Sequence, residues 1–210
     1  MASSFFDQIP TILNIMVQTR PKRLLDIGKG FGKYGFLAHE YIGIADTSKI
    51  NPEKKMQEQS SIEIDAIEID SDLLLPHLKD FYRNIFHKNV FDIYKNLNDY
   101  DLVLMIDVIE HLEKEESKKL IDHFLSTGAD IIIATPLLFF EQHLYQSVYE
   151  EHISHWDLSD FKTYNRYLIH QKLGSSRIYF LSKKHKSLTG FGSSFMNRLK
   201  RIGRAVLNEL

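Results

Sequence analysis

The chain has 210 residues, no cysteine, and 26 basic against 28 acidic side chains, for a formal net charge of −2. That length suits one α/β domain with modest extras and a core of real size. The near-zero charge excludes a global basic field for nucleic acid, and the missing cysteines exclude a disulfide framework, a thiolate nucleophile and a cysteine metal site. The first residues, Met1 to Asp7, lack the basic start and apolar core of a signal peptide. No apolar run reaches the ~18 residues of a membrane span, and a cytoplasmic protein is expected.

Ile9, Ile12, Leu13, Met16 and Val17 fall at helical spacing, with Pro10 tolerable near the start. The pattern predicts a helix that ends before Pro21. Arg23 to Ile27 then forms an apolar run that closes on Asp26, and Gly28, Gly30 and Gly32 follow at alternate positions. This spacing reads as a buried strand, a tight glycine turn and a helix over 36–42. Glycines let the backbone approach a ligand, and the N–H groups of a helix start favour its electron-rich groups. Gly30-Phe31-Gly32-Lys33-Tyr34-Gly35 also fits the dinucleotide fingerprint G-x-G-x-x-G. That fingerprint wants an acid about 20 residues on, at the end of the next strand. Lys49, Asn51, Pro52 and Glu53 lie there and read as loop, so the second element is missing.

Residues 43–61 crowd polar side chains together and read as an insertion, longer than the usual helix-to-strand loop. Ile62 to Ile69 alternates isoleucine and carboxylate and predicts the second strand, with Glu68 near its end. Asp70 or Ser71 should cap a helix carrying Leu74, Leu78, Phe81 and Tyr82. Residues 86–91 predict a short third strand that Asp92 follows directly. Tyr100 to Asp107 is the clearest buried strand. The helix after Leu112 should pair Glu115 with Lys119, bury Leu120, Ile121, Phe124 and Leu125, and stop at Gly128. Ala129 to Ala134 predicts a fifth strand ending in Thr135-Pro136. Strands alternating with helices favour parallel pairing and right-handed crossovers. Ligands bind outside the carboxyl ends of such strands, where Asp26, Glu68, Asp92, Asp107 and Thr135 all fall.

Residues 137–156 are rich in aromatic and histidine side chains, among them Phe139, Phe140, Tyr149, His152, His155 and Trp156. Tyr164 to Ile169 and Arg177 to Leu181 predict two strands joined by 172–176. After Gly192, Phe195, Leu199, Ile202 and Val206 share one helical face, with basic residues largely around the other. A helix docked on the domain or on a second subunit is expected there, in preference to a membrane-surface helix.

Leu25-Asp26-Ile27-Gly28-Lys29-Gly30-Phe31-Gly32 after a strand resembles the first motif of the class I methyltransferases, which bind S-adenosylmethionine. Lys29 stands where many relatives have a small residue or cysteine. Asp107-Val108-Ile109-Glu110-His111-Leu112 is similar to the strand-four motif of the small-molecule and glycan O-methyltransferase branch. Tyr149 to Trp156 is similar to a region near the acceptor in some relatives. The resemblance covers residues 22–182. It implies a Rossmann-like, doubly wound α/β sheet of seven strands, mainly parallel with a terminal antiparallel hairpin. One domain over 1–185 would carry the 43–61 insertion, with a basic amphipathic helix over 186–210.

By the same resemblance the cofactor is S-adenosyl-L-methionine, held by Asp26, Gly28, Gly30, Gly32, Glu68, Asp92 and Asp107. Glu68 would take the two ribose hydroxyls, and Asp92 the exocyclic amine of adenine. The expected activity is methylation of a hydroxyl on a small molecule or sugar, with no nucleic-acid partner. A neutral histidine suits proton removal because its unperturbed pKa lies near operating pH. His152 is the first candidate base, with His155 and His111 behind it, and Phe139, Phe140, Tyr149 and Trp156 are expected to line the acceptor. Glu110, His111, His152 and His155 could ligate an ion, but their mixed spacing is far weaker than a helical His-x-x-x-His, and no metal is expected. The alternative is a non-catalytic cofactor- or partner-binding module on the same fold; a nicotinamide-dependent oxidoreductase ranks third.

Overall fold

The computed structural model describes residues 4–43, 62–137, 148–164, 171–173, 176–185 and 188. Strand β1 (Arg23–Ile27) lies between β2 (Glu63–Ile67) and β4 (Leu102–Ile106) and is parallel to both. Its residues after Arg23 are all buried, as suits a parallel strand covered on both faces. β3 (Asn84–Phe86) extends the β2 edge, and β5 (Asp130–Pro136) extends the β4 edge, both in parallel. β7 (Ser176–Leu181) runs antiparallel to β5, and β6 (Gln171–Leu173) pairs antiparallel with β7. The order is β3-β2-β1-β4-β5-β7-β6. Chain direction through the sheet reverses between β1 and β4, which opens a ligand crevice at their carboxyl ends.

Alternate strand residues feed opposite cores, as a period of two requires. Leu24, Leu102, Leu104 and Ile132 pack on α1 (Ile9–Thr19), which supplies Ile12, Ile15 and Met16. Leu25, Val103, Met105, Ile131 and Ile133 pack on α4 (Lys114–Thr127), through Leu120, Ile121 and Phe124. Pro10 sits in the first turn of α1, and Gly128 ends α4 in the left-handed region at φ 89°. Both helices agree with the sequence pattern.

Several expected elements differ. The segment after β2 is not an α-helix but two 3-10 turns, Ser71–Leu73 and Pro76–Asp80. Pro76 offers no N–H and holds Leu75 extended, at ψ 142°, which divides the segment. Asp70 does cap the first turn, accepting from the Asp72 N–H at 2.9 Å. β3 ends at Phe86, because Asn89 caps a short helix α3 (Val90–Ile93) by accepting from the Phe91 N–H at 3.0 Å. Val90 and Phe91 are therefore helical, and Asp92 rides on α3 instead of ending a strand. α2 (Lys33–Ala38) starts directly at the glycine turn and continues as a π turn over His39–Gly43. On α4 the ion pairs are Glu115 with Lys118 and Glu116 with Lys119, one residue closer than the expected Glu115–Lys119 pair. Tyr164 closes a turn onto the Phe161 carbonyl, and the rest of the strand expected over 164–169 lies outside the described residues; β6 and β7 instead take 172, 173 and 176 from the link expected over 172–176. So do 44–61 of the insertion and the helix expected over 195–210. Among the described residues no helix is long and apolar enough to cross a membrane.

Candidate active site

A cavity of about 660 Å³ opens at the carboxyl ends of β1, β2 and β4. The turn after β1 builds its floor. Gly28, Gly30 and Gly32 have φ of 66°, 53° and 81°, a region that side chains other than glycine rarely adopt. Gly28 also has no room: a Cβ there would stand 2.5 Å from Val108 Cγ2. Gly28 and Gly30 line the cavity. Gly32 does not; it precedes α2, and a Cβ on it would meet Leu78 Cδ2 at 2.4 Å, so its role is packing.

Around this floor stand buried carboxylates. Asp26 is 2% exposed and accepts from the Tyr82 hydroxyl at 2.5 Å. Burial pushes its pKa up to about 7, although the Tyr82 bond and the Lys29 ammonium oppose the rise. Glu68 accepts from the Gly30 N–H at 3.0 Å on one oxygen and from the Asp70 N–H at 3.1 Å on the other. Burial raises its pKa too. Lys29, given no role by the sequence reading, donates to the Gly30 and Leu73 carbonyls at 3.0 and 2.6 Å, and burial lowers its pKa. It thus braces the glycine turn and places a cation between Glu68 and Asp26.

Asp107 leaves β4 at φ 51°, an unusual angle for a residue with a side chain. Each of its carboxylate oxygens accepts from Gln8 Nε2 at 3.1 Å. Burial raises its pKa to about 6; the Gln8 bond and Lys33 hold it down, and Asp7 adds to the rise. Lys33 in turn donates to the carbonyl and hydroxyl of Ser4, at 2.7 and 2.9 Å. The segment before α1 therefore closes one wall, with Ser4 and Phe5 lining the cavity. Sequence reading missed this wall, because its contacts join distant positions, 99 residues apart for Gln8 and Asp107 and 29 for Ser4 and Lys33.

The opposite wall starts at the 3-10 turn Ile109–His111. Glu110 is 2% exposed, and the Thr135 side chain is its hydrogen-bonding neighbour. Burial, and then the Asp107 carboxylate, push its pKa well above the usual range. His111 Nδ1 lies 2.9 Å from the Glu151 carbonyl, and the His111 and His152 rings stand 4.9 Å apart. Burial lowers the His111 pKa. The Ile153 and Ser154 N–H groups both donate to the Glu110 carbonyl, at 2.9 and 3.0 Å. Trp156 Nε1 donates to the Ile109 carbonyl at 3.2 Å and to Ser154 Oγ at 2.8 Å. These bonds pin the His152 segment to the turn after β4.

The structure thus brings Asp26, Gly28, Gly30, Glu68, Asp107, Glu110, His111, His152 and Tyr149 to one cavity, and adds Lys29. It does not bring four others, the first being Gly32, which packs against Leu78. Asp92 is exposed on α3 and outside the cavity, because helix α3 turns it away; Asn89 and Phe91 line the wall there instead. His155 is exposed and outside the lining. Trp156 is fully buried against Phe161, at 5.4 Å between rings, so it belongs to the core and not to an acceptor wall. Phe139 and Phe140 lie outside the described residues.

No protein-family model matches the chain, and no curated protein matches it in sequence. Among solved structures it is similar to an rRNA methylase from Escherichia coli, at 15% identity and TM-score 0.51, over 84% of this chain and 64% of that one. It is similar to the methyltransferase domain of bacterial CtHen1, at 16% identity and TM-score 0.50, over 84% of this chain and 97% of that one. The 16S rRNA methylase RmtB gives 16% identity and TM-score 0.50, over 85% of this chain and 63% of that one. The chain therefore spans less than two thirds of either rRNA methylase. At these identities the likeness shows the fold: an α/β, Rossmann-like methyltransferase fold, mostly parallel with an antiparallel end pair.

Proposed function

We propose that the protein is an S-adenosylmethionine-dependent methyltransferase that acts on a hydroxyl of a small molecule or sugar. One observation carries the reading. Asp26, Glu68 and Asp107 converge on a cavity floored by a glycine turn, each with its pKa raised by burial. Raised values mean that the charged forms lack compensation, and a cationic ligand with hydroxyl groups would supply it. The residues fit such a ligand. Glu68 has lone pairs beyond its two backbone bonds for a diol, and Gly28 and Gly30 allow close backbone approach.

The sulfonium, when bound, supplies an activated methyl group. The chain's own work is then to position both reactants, exclude water and remove the acceptor's proton. Transfer of that methyl group to a hydroxyl would release the hydroxyl proton, which the chain must take up. The His111–His152 pair on the wall opposite Glu68 is the group that would take that proton, His111 being held neutral by burial.

An RNA acceptor is the competing reading, since two of the likened structures are rRNA methylases. Against it stand the net charge of −2 and the acidic Glu113, Glu116 and Glu150 along the cavity. Calorimetry with S-adenosylmethionine and with a nicotinamide dinucleotide tests the cofactor. Binding of the first alone is expected, and no binding of it defeats the proposal. Methyl transfer to polyols and sugars, with bulk RNA in parallel, separates the acceptors; bound cofactor with no turnover on any acceptor would favour the non-catalytic module.

A further inference from the structure

We propose that the acceptor is an uncharged phenol or alcohol with an apolar body, held by a rim of exposed apolar side chains around the cavity. The step rests on the methyltransferase reading. It narrows the acceptor from small molecules and sugars in general to this one class.

Ten large apolar side chains are exposed among the described residues, and four of them, Phe5, Phe31, Tyr149 and Ile153, line this cavity. Apolar residues scattered singly over a surface need no explanation, but a group gathered at one opening marks a ligand groove. Each of the four is 39–50% exposed, so each keeps apolar surface in water that a ligand can cover. They come from separate segments: Phe5 from the stretch before α1, Phe31 from the glycine turn, and Tyr149 and Ile153 from the wall after β4. Tyr149 and Ile153 flank His152, the side placed to take the acceptor's proton, and the Ile153 N–H is fixed on the Glu110 carbonyl at 2.9 Å. Val108 and Leu112 add apolar lining to the same wall. The charged and hydroxyl groups of the cofactor are met by Asp26, Glu68 and Asp107, so the rim on the His152 wall is left to the acceptor.

The same wall selects against anions. Glu110, Glu113 and Glu150 line it, and among the described residues its lining holds no lysine or arginine. The cavity's lysines stand elsewhere: Lys29 donates to the Gly30 and Leu73 carbonyls, Lys33 on α2 donates to Ser4, and Lys88 precedes α3. A carboxylate or phosphate on the acceptor would meet like charge there with no counter-charge. A polyol fits no better. Hydroxyls laid on Ile153, Val108 and Leu112 would lose water without gaining a hydrogen-bond partner.

The test titrates the full chain with 4-alkylphenols, from methyl to butyl, in the presence of S-adenosylhomocysteine, which has no methyl group to transfer. Methyl glucoside and 4-hydroxybenzoate are the polar and anionic counterparts, and calorimetry reads each dissociation constant. The constant should fall about two- to fourfold for each added methylene, the range between half and full burial of a CH₂. Ile153→Ser and Tyr149→Ser, each checked for fold by circular dichroism, should weaken 4-butylphenol by about threefold or more. Leu158→Ser, exposed but outside the cavity, should keep the whole gain. A flat series, equal binding of methyl glucoside or 4-hydroxybenzoate, or unchanged 4-butylphenol affinity in both rim variants overturns the proposal. Calorimetry with S-adenosylmethionine alone separates the two ideas. Cofactor binding with a flat series sinks the apolar acceptor only, and a graded series without cofactor binding sinks the methyltransferase reading and leaves the apolar rim standing.

Discussion

Tyr82→Phe removes one oxygen and should change how cofactor binding depends on pH. The Tyr82 hydroxyl donates to Asp26 at 2.5 Å, and both groups are buried, so no water replaces the bond. A hydrogen bond to a charged group is worth about 1.5–3 kcal/mol, which at 1.36 kcal/mol per unit equals roughly one to two pKa units. Asp26 starts at about 7 in the ligand-free protein, pushed up chiefly by burial. Without Tyr82 it should rise to about 8 or 9. A cationic cofactor binds the ionised form, so wild-type affinity should increase with pH up to about 7 and then level, while the variant should keep gaining for one to two further units. Dissociation constants measured by calorimetry from pH 6 to 9, with buffers of different ionisation enthalpy to count released protons, read both effects. An unmoved profile in a folded Tyr82→Phe protein would show that Asp26 does not face the cofactor's charge.

Gly28→Ala should destabilise the fold by about 2–5 kcal/mol, from left-handed strain of ~1–2 and overpacking of ~1–3 against Val108. Adding Val108→Ala should recover the packing part and not the strain, and denaturant midpoints of the single and double variants check this. Glu68→Gln replaces one acceptor oxygen with a donor that faces the Gly30 or Asp70 N–H, so cofactor affinity should fall about 10- to 150-fold; an unchanged dissociation constant would remove Glu68 from the site. In the ligand-free protein Asp26 and Asp107 hold protons, at about 7 and about 6, that the unfolded chain has lost above the ordinary carboxylate value. Their contribution to stability is therefore full in acid and is lost as pH rises through that window, which urea melts at pH 5 and pH 8 should show.

Strands β1, β4 and β5 were legible because continuous apolar runs closing on Asp26, Asp107 and Pro136 suit only a sheet buried on both faces. The segment after β2 was not. Leu74, Leu78, Phe81 and Tyr82 carry a helical period, but Pro76 sits inside it and the backbone constraint wins over the side-chain pattern. Asp92 failed for a similar local reason. An asparagine three residues earlier starts a helix turn, and no strand can continue through that cap.

The half of the site that follows β1 and β2 could be read from sequence because its parts lie on short, contiguous motifs, where one turn sets every backbone angle. In the other half Glu110, His111 and His152 could be named as candidates but not placed, because their segments meet only in the fold. What makes Glu110 unusual is not its type but its burial beside the Asp107 carboxylate, a property of packing that no spacing reveals. Among the three histidines, burial and cavity lining separated the candidates: His111 and His152 face one another at 4.9 Å, whereas His155, only three residues on, points to solvent. The cavity therefore presents two differently provisioned ends. At one, Lys29 and backbone N–H groups offset part of the burial of Glu68; at the other, Glu110 lies buried beside Asp107 and near two imidazoles.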